Sequence, residues 1–125
     1  MTKCPEDTAR PTRHVLLIDL VDEPDAIARY EAWHASGRLP PEVGDSIRRA
    51  DIVGMEIYRT GNRLVMIMET APGFDPARKA AIDAADPGVR AWEASMDGVQ
   101  RPLPWARDGS KWTAAERIFS LAEQP

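Results

Sequence analysis

Gly54-Met55-Glu56-Ile57-Tyr58-Arg59-Thr60-Gly61-Asn62-Arg63-Leu64-Val65-Met66-Ile67-Met68-Glu69-Thr70 is the stretch from which the fold can be read. Two runs rich in apolar and β-branched residues flank Gly61-Asn62. Both loop residues tolerate positive φ, so the spacing predicts a hairpin with a two-residue loop. That loop sets Tyr58 opposite Val65, Ile57 opposite Met66, Glu56 opposite Ile67 and Met55 opposite Met68. Side chains alternate between the two sides of a strand. One face then carries Met55, Ile57, Leu64, Met66 and Met68, a core surface or a pocket wall. The other carries Glu56, Tyr58, Val65, Ile67 and Glu69, a mixed surface. A slip of one residue would exchange the faces, so the alternation itself helps to set the register.

Upstream, His14 to Val21 is a nearly continuous apolar run, which predicts a central β-strand. Asp22-Glu23-Pro24-Asp25 is a turn, with Asp25 as N-cap of a helix running to about Ser36 and ended by Gly37. On that helix Ile27, Tyr30, Trp33 and His34 recur at three- and four-residue spacing and share one face. Pro40-Pro41-Glu42 opens a second short helix to about Ala50, proline suiting the first turn. Downstream, Ala71-Pro72-Gly73 is a loop, Pro76 to Ala85 a helix, and Asp86-Pro87 opens another carrying Val89, Trp92 and Met96. Val99 to Ser110 is irregular, and Glu116 to Leu121 reads as a last strand. The domain spans 14–121, with residues 1–13 a loose polar tail and 122–125 a short C-terminal one.

The order strand, helix, strand, strand, helix, strand is the ferredoxin-like α+β arrangement, an antiparallel sheet with helices on one face. Such a sheet keeps one face uncovered. A second copy of the chain would bury it, so a homodimer is expected.

With 125 residues the chain suits one domain with a single core. A net charge of −4, with no basic stripe, argues against nucleic acid. The apolar run at Val15–Ile18 is far too short to span a bilayer, and the polar N-terminus does not read as a signal peptide. One cysteine, Cys4, excludes an internal disulfide and fits the cytoplasm. Two histidines and one cysteine are too few for a usual zinc site.

Tyr30 and His34 lie one helical turn apart, so both side chains can reach one site. A histidine suits proton transfer near neutrality, and a phenol can donate or accept beside it. The plain alternative is a helix-end histidine above a core tyrosine. Four tryptophans are present. Such rings stack on sugars and also fill ordinary cores. Trp33 suits core, Trp92 either role, and Trp105 and Trp112, in a proline-rich segment, can close over a pocket. Glu42, Glu56 and Glu69 read as solvated or ion-paired, and His14 as structural.

The ordered set Tyr30-Glu31-Ala32-Trp33-His34, Pro41-Glu42-Val43, Met55-Glu56-Ile57-Tyr58-Arg59, Leu64 to Glu69, Trp92, Met96 and Glu116 to Leu121 resembles the L-rhamnose mutarotase family. The hairpin and the Pro-Leu-Pro-Trp to Lys-Trp segment look closer to its L-fucose branch. The resemblance implies a dimeric α/β barrel of ferredoxin-like subunits. It implies an isomerase that interconverts the α and β anomers of a 6-deoxy-L-hexose without cofactor or metal. In those terms His34 is the acid/base and Tyr30 binds the sugar and assists. Met55 stands at the family's hairpin tyrosine position, and Ala91-Trp92 at its tryptophan pair, so Trp92 stacks on the sugar. Trp105 is assigned to cover the pocket. A cofactor-free oxygenase on the same fold and a non-catalytic small-metabolite-binding module are the competing expectations.

Overall fold

The computed structural model describes residues 10–125. β1 (Thr12–Leu20) leads into α1 (Pro24–His34) and α2 (Pro41–Arg49). β2 (Ile52–Thr60) and β3 (Arg63–Thr70) form the hairpin, followed by α3 (Pro76–Ala85) and α4 (Pro87–Asp97). The two-residue strands β4 (Gln100–Arg101) and β5 (Thr113–Ala114) complete the sheet. All pairings are antiparallel, in the order β2-β3-β1-β4, with β5 also on β1. This is the ferredoxin-like α+β order expected from the hairpin outward.

The hairpin register is the expected one: Met55 faces Met68, Glu56 faces Ile67, Ile57 faces Met66 and Tyr58 faces Val65. Of the two loop residues only Gly61 takes a positive φ, 57°. Asn62 serves differently. Its backbone carbonyl accepts from the Leu20 N–H (2.6 Å), and its side-chain amide donates to the Leu20 carbonyl (3.0 Å). The hairpin tip is thereby tied to the end of β1. A bulge at Val53, between Ile52 and Gly54, shifts the register where β2 begins.

The core sits between the sheet and α1 and α4. Ile18, Leu20 and Leu64 come from the strands, Ala26 and Tyr30 from α1, and Met96 and Val99 from α4 and its exit. Each such aliphatic side chain contributes roughly 1.5–3 kcal/mol when fully buried. On the opposite sheet face Val15, Leu17, Val65 and Ile67 are only partly buried.

Several boundaries differ from expectation. Residues 1–9 of the expected tail lie outside the described residues, whereas Thr12 and Arg13 belong to β1 and pair with Thr70 and Glu69. Helix α1 starts at Pro24 with Glu23 as its N-cap, so Asp25 lies in the first turn and does not cap. Proline, with its fixed φ and no N–H to satisfy, takes the first position. The same helix ends at His34, before Gly37, which takes φ 76° in the following turn. The largest correction concerns the last strand, which is Thr113–Ala114 and not Glu116–Leu121. The last ladder bond runs from the Ala115 N–H to the Val15 carbonyl. Beyond it the chain leaves β1, and Ile118 stands 93% exposed. Strand propensity at 116–121 finds no ladder to join.

The fourth strand is thus broken in two. β4 pairs with Asp19 and Leu20, and β5 with Leu16 and Leu17. Residues 102–112 leave the sheet between them. Pro102 and Pro104 cannot donate ladder bonds, which suits this excursion.

Candidate active site

The site grows out of the last turn of α1. Long side chains on a helix lean back toward its N-terminus. His34 does so, and its Nδ1–H donates to the Tyr30 carbonyl at 2.7 Å. Its ring stacks on the Tyr30 ring at 4.0 Å between centroids, with 27° between planes. The imidazole is held in place, and Nε2 is left without a hydrogen-bond partner among the described residues. Tyr30 itself is buried in the core.

The third ring comes from α4. Asp86 caps this helix by accepting from the Gly88 N–H at 2.8 Å, and Pro87 occupies its first turn. One face of α4 presents Val89, Trp92 and Met96 inward. Trp92 meets His34 edge-on, 5.0 Å between centroids at 63°.

These rings border a cavity of about 700 Å³ between sheet and helices. The sheet supplies an apolar wall of Met55, Ile57, Met66 and Met68. Glu93 and Gln100 line it too, as do Lys111 and Trp112 from the returning excursion. Lys111 Nζ meets Glu93 at 2.7 Å and Asp97 at 2.8 Å, which clamps Trp112 beside α4. A second depression of about 450 Å³ shares Tyr30, His34 and Ile57, with the Arg59–Glu31 ion pair at its side.

Burial sets the protonation states. It disfavours the imidazolium, so the His34 pKa lies below its ordinary 6.5, although the bond to the Tyr30 carbonyl pulls it partly back. At neutral pH the ring is therefore neutral, with its proton on Nδ1 and a lone pair on Nε2. Burial pushes the Tyr30 phenol up to about 12. A side-chain hydrogen bond from Gln100 works against that rise, and the Glu93 charge adds to it. Burial also opposes the Lys111 ammonium, but Asp97 and Glu93 outweigh it and its pKa is raised. The arrangement offers a neutral base, a protonated phenol, an aromatic edge and an apolar wall in one cavity.

Of the residues singled out by sequence, the structure brings Tyr30, His34, Trp92 and Met55 to this cavity. It does not bring Trp105, which is 64% exposed and lies over the Arg63 guanidinium, 5.3 Å from it. Arg63 in turn pairs with Asp19 at 2.7 Å. Trp112 is the tryptophan of the excursion that reaches the cavity. Glu42, Glu56 and Glu69 do not line it, and Glu56 accepts from the Tyr58 hydroxyl at 3.0 Å. His14 Nε2 lies 2.9 Å from the Thr70 hydroxyl, joining β1 to β3. Sequence reasoning missed Glu93, Gln100 and Lys111. Glu93 had a signal in following Trp92. Gln100 and Lys111 had none, since both depend on how the broken fourth strand pairs.

Among the described residues no group of three or more His, Cys, Asp or Glu is gathered to hold a metal ion. Among the described residues no helix is long and apolar enough to cross a membrane.

The L-rhamnose mutarotase family model matches residues 13–121. An L-fucose mutarotase of Xanthomonas campestris pv. campestris is 48% identical over 107 residues, 86% of each chain. A crystal structure of an L-rhamnose mutarotase from Formosa agariphila superposes with a TM-score of 0.62 at 18% identity, covering 88% of this chain and 98% of the other. That last likeness shows the fold. The family match and the extent of the sequence identity show more: the chain belongs to the L-rhamnose mutarotase family, a family of sugar isomerases.

Proposed function

We propose that the protein interconverts the α and β anomers of a 6-deoxy-L-hexose, L-fucose in preference to L-rhamnose, with His34 as the principal acid/base. The observation that carries this is the Nδ1–H bond from His34 to the Tyr30 carbonyl, which leaves Nε2 free at the cavity. Mutarotation needs a proton taken from the anomeric hydroxyl, cleavage of the bond between C1 and the ring oxygen, and a proton for that oxygen. The open-chain aldehyde then turns about C1–C2 and recloses on its other face. Neutral His34 takes the hydroxyl proton at Nε2. The Tyr30 phenol, protonated across the neutral range, donates to the ring oxygen. Reclosure returns both protons. Positioned acid–base groups contribute on the order of 10²–10⁴-fold.

Trp92 packs against the apolar face of the sugar and keeps His34 from turning. The wall of Met55, Met66 and Met68 favours a methyl group at C6 over a hydroxymethyl group, which would lose hydrogen bonds to water there. The preference for L-fucose rests on the relative named for that sugar and on the tryptophan-bearing excursion that brings Trp112 to the cavity. The working unit is a homodimer in which the sheet face bearing Val15, Leu17, Val65 and Ile67 meets a second copy.

Exchange NMR on the anomeric protons of L-fucose and L-rhamnose tests the activity. Exchange faster than the enzyme-free control, greater for L-fucose and lost in His34→Ala, is expected. No acceleration for either sugar would make the cavity a metabolite-binding site without catalysis.

A further inference from the structure

Glu93 and Lys111 form an ion pair in the cavity that the proton transfer leaves unused. Both line it together with Tyr30, His34, Trp92 and Trp112. Lys111 Nζ lies 2.7 Å from Glu93 Oε2 and 2.8 Å from Asp97 Oδ1. The pair is open to approach, since the Lys111 side chain is 38% exposed and that of Glu93 48%. Burial opposes the Lys111 ammonium, but the two carboxylates outweigh it, so Lys111 stays charged at neutral pH. An ammonium carries three N–H donors. With one turned to each carboxylate, a third remains. Glu93 Oε1 receives no hydrogen bond among the described residues. One N–H and one carboxylate oxygen are thus left over, side by side. The cavity's other ion pair, Lys79–Asp83, differs in this, because Asp83 Oδ1 is shut off from any approaching ligand.

We propose that Glu93 and Lys111 are substrate-binding residues, the Glu93 carboxylate accepting from one hydroxyl of the bound sugar and the Lys111 ammonium donating to the next. A hydroxyl both donates and accepts. Adjacent hydroxyls on a pyranose therefore match an acceptor and a donor held side by side. Hydrogen bonds with a charged partner are roughly twice as strong as neutral ones. The two charges offset each other, so the pair suits a neutral polyol. Trp92 and Glu93 are consecutive in α4, so one turn of helix supplies both the ring for the sugar's apolar face and the carboxylate for its hydroxyls. The pair thus selects among hydroxyl patterns, and L-fucose and L-rhamnose differ in the configuration of the hydroxyls at C2 and C4. This inference rests on the mutarotase reading of the same cavity.

The test measures KM for anomer exchange with L-fucose and with each of its monodeoxy analogues. Glu93→Met, close in length but without the acceptor, should raise KM for L-fucose roughly tenfold. That penalty should vanish for the one analogue that already lacks the contacted hydroxyl, since the two changes then remove the same bond. An equal penalty with every analogue makes the pair a clamp on Trp112 alone and overturns the inference, leaving the mutarotase reading standing. A second measurement needs no variant at the site. The chain has three lysines, Lys3, Lys79 and Lys111. With ¹³C at lysine Cε, Lys3→Arg and Lys79→Arg each remove one signal and so assign that of Lys111. On titration of wild type with L-fucose the Lys111 signal should shift to saturation. A Lys111 signal that stays still while the same sample accelerates anomer exchange also overturns the inference. Failure of the wild-type sample to accelerate exchange overturns the mutarotase reading, and this inference with it. Should Glu93→Met fail to fold, the wild-type titration decides alone.

Discussion

At the scale of single residues, His34 is shaped by one hydrogen bond and by burial. The bond to the Tyr30 carbonyl sets the tautomer, and burial keeps the ring neutral. His34→Ala should lower kcat/KM for anomer exchange on the order of 10²–10⁴-fold, read by the same exchange NMR. The pH profile follows with a definite sign. The folded pKa is lowered, so activity holds near neutrality and falls on the acid side, below the ordinary 6.5. Stability follows the same direction. Between the folded pKa and 6.5 the unfolded chain binds more protons than the folded one, so acidification through that window destabilises. An acid limb in kcat/KM that lies at or above 6.5 would refute the neutral-base assignment. Tyr30→Phe keeps the ring stack and the backbone acceptor and removes only the phenol. It should lower kcat on the order of 10²–10⁴-fold with little change in fold, as circular dichroism would report. The pairing of Tyr30 with His34 was legible from their four-residue spacing. The half-buried position of His34, which sets its chemistry, was not.

Among the elements, α4 sets the third ring of the site against His34. It brings Trp92 and Glu93 to the cavity and receives Lys111. Its start depends on Asp86, whose carboxylate accepts from the Gly88 and Val89 N–H groups. Asp86→Ala should destabilise by about 1 kcal/mol, lowering Tm by roughly 4 °C in a thermal melt. Asp86 lies outside the cavity, so kcat at 25 °C should hold. The hairpin turn offers a second test. Beyond Thr60 and Asn62, its chain neighbours, no atom lies within 4 Å of where a Cβ would stand at Gly61. Gly61→Ala therefore isolates the cost of placing a side chain at φ 57°, about 1–2 kcal/mol. The hairpin was legible because period-two alternation and a glycine-bearing turn agree. The last strand was misread because apolar and β-branched residues at 116–121 satisfy strand propensity without a partner edge. Ladder bonds, which no local pattern reports, end at Ala115.

At the scale of the whole molecule, the sheet has two unlike faces. One is sealed by the helices, with Ile18, Leu20 and Leu64 at its centre. Leu64→Ala there should cost about 2–5 kcal/mol in denaturant unfolding. The other face shows Val15, Leu17, Val65 and Ile67 between the Asp19–Arg63 ion pair and the charged strand ends. Ile67→Lys places a charge in the middle of that apolar patch. Light scattering coupled to size exclusion should then give the mass of one chain for the variant and of two for the wild type. A wild-type mass of one chain would refute the dimer.

What the sequence by itself determined is local and periodic: the hairpin and its register, the starts of α2, α3 and α4 at prolines, and the Tyr30–His34 face. These depend on neighbours within a few residues, and spacing reports them directly. Tertiary structure alone decided that Trp112 and not Trp105 reaches the cavity, that Glu93, Gln100 and Lys111 join it, and that the fourth strand breaks in two. Each of these turns on pairing between β1 and segments some 80–100 residues away along the chain. The pairing is set by which backbone groups find ladder partners and which side chains fill the space between sheet and helices. No short window of sequence contains that information.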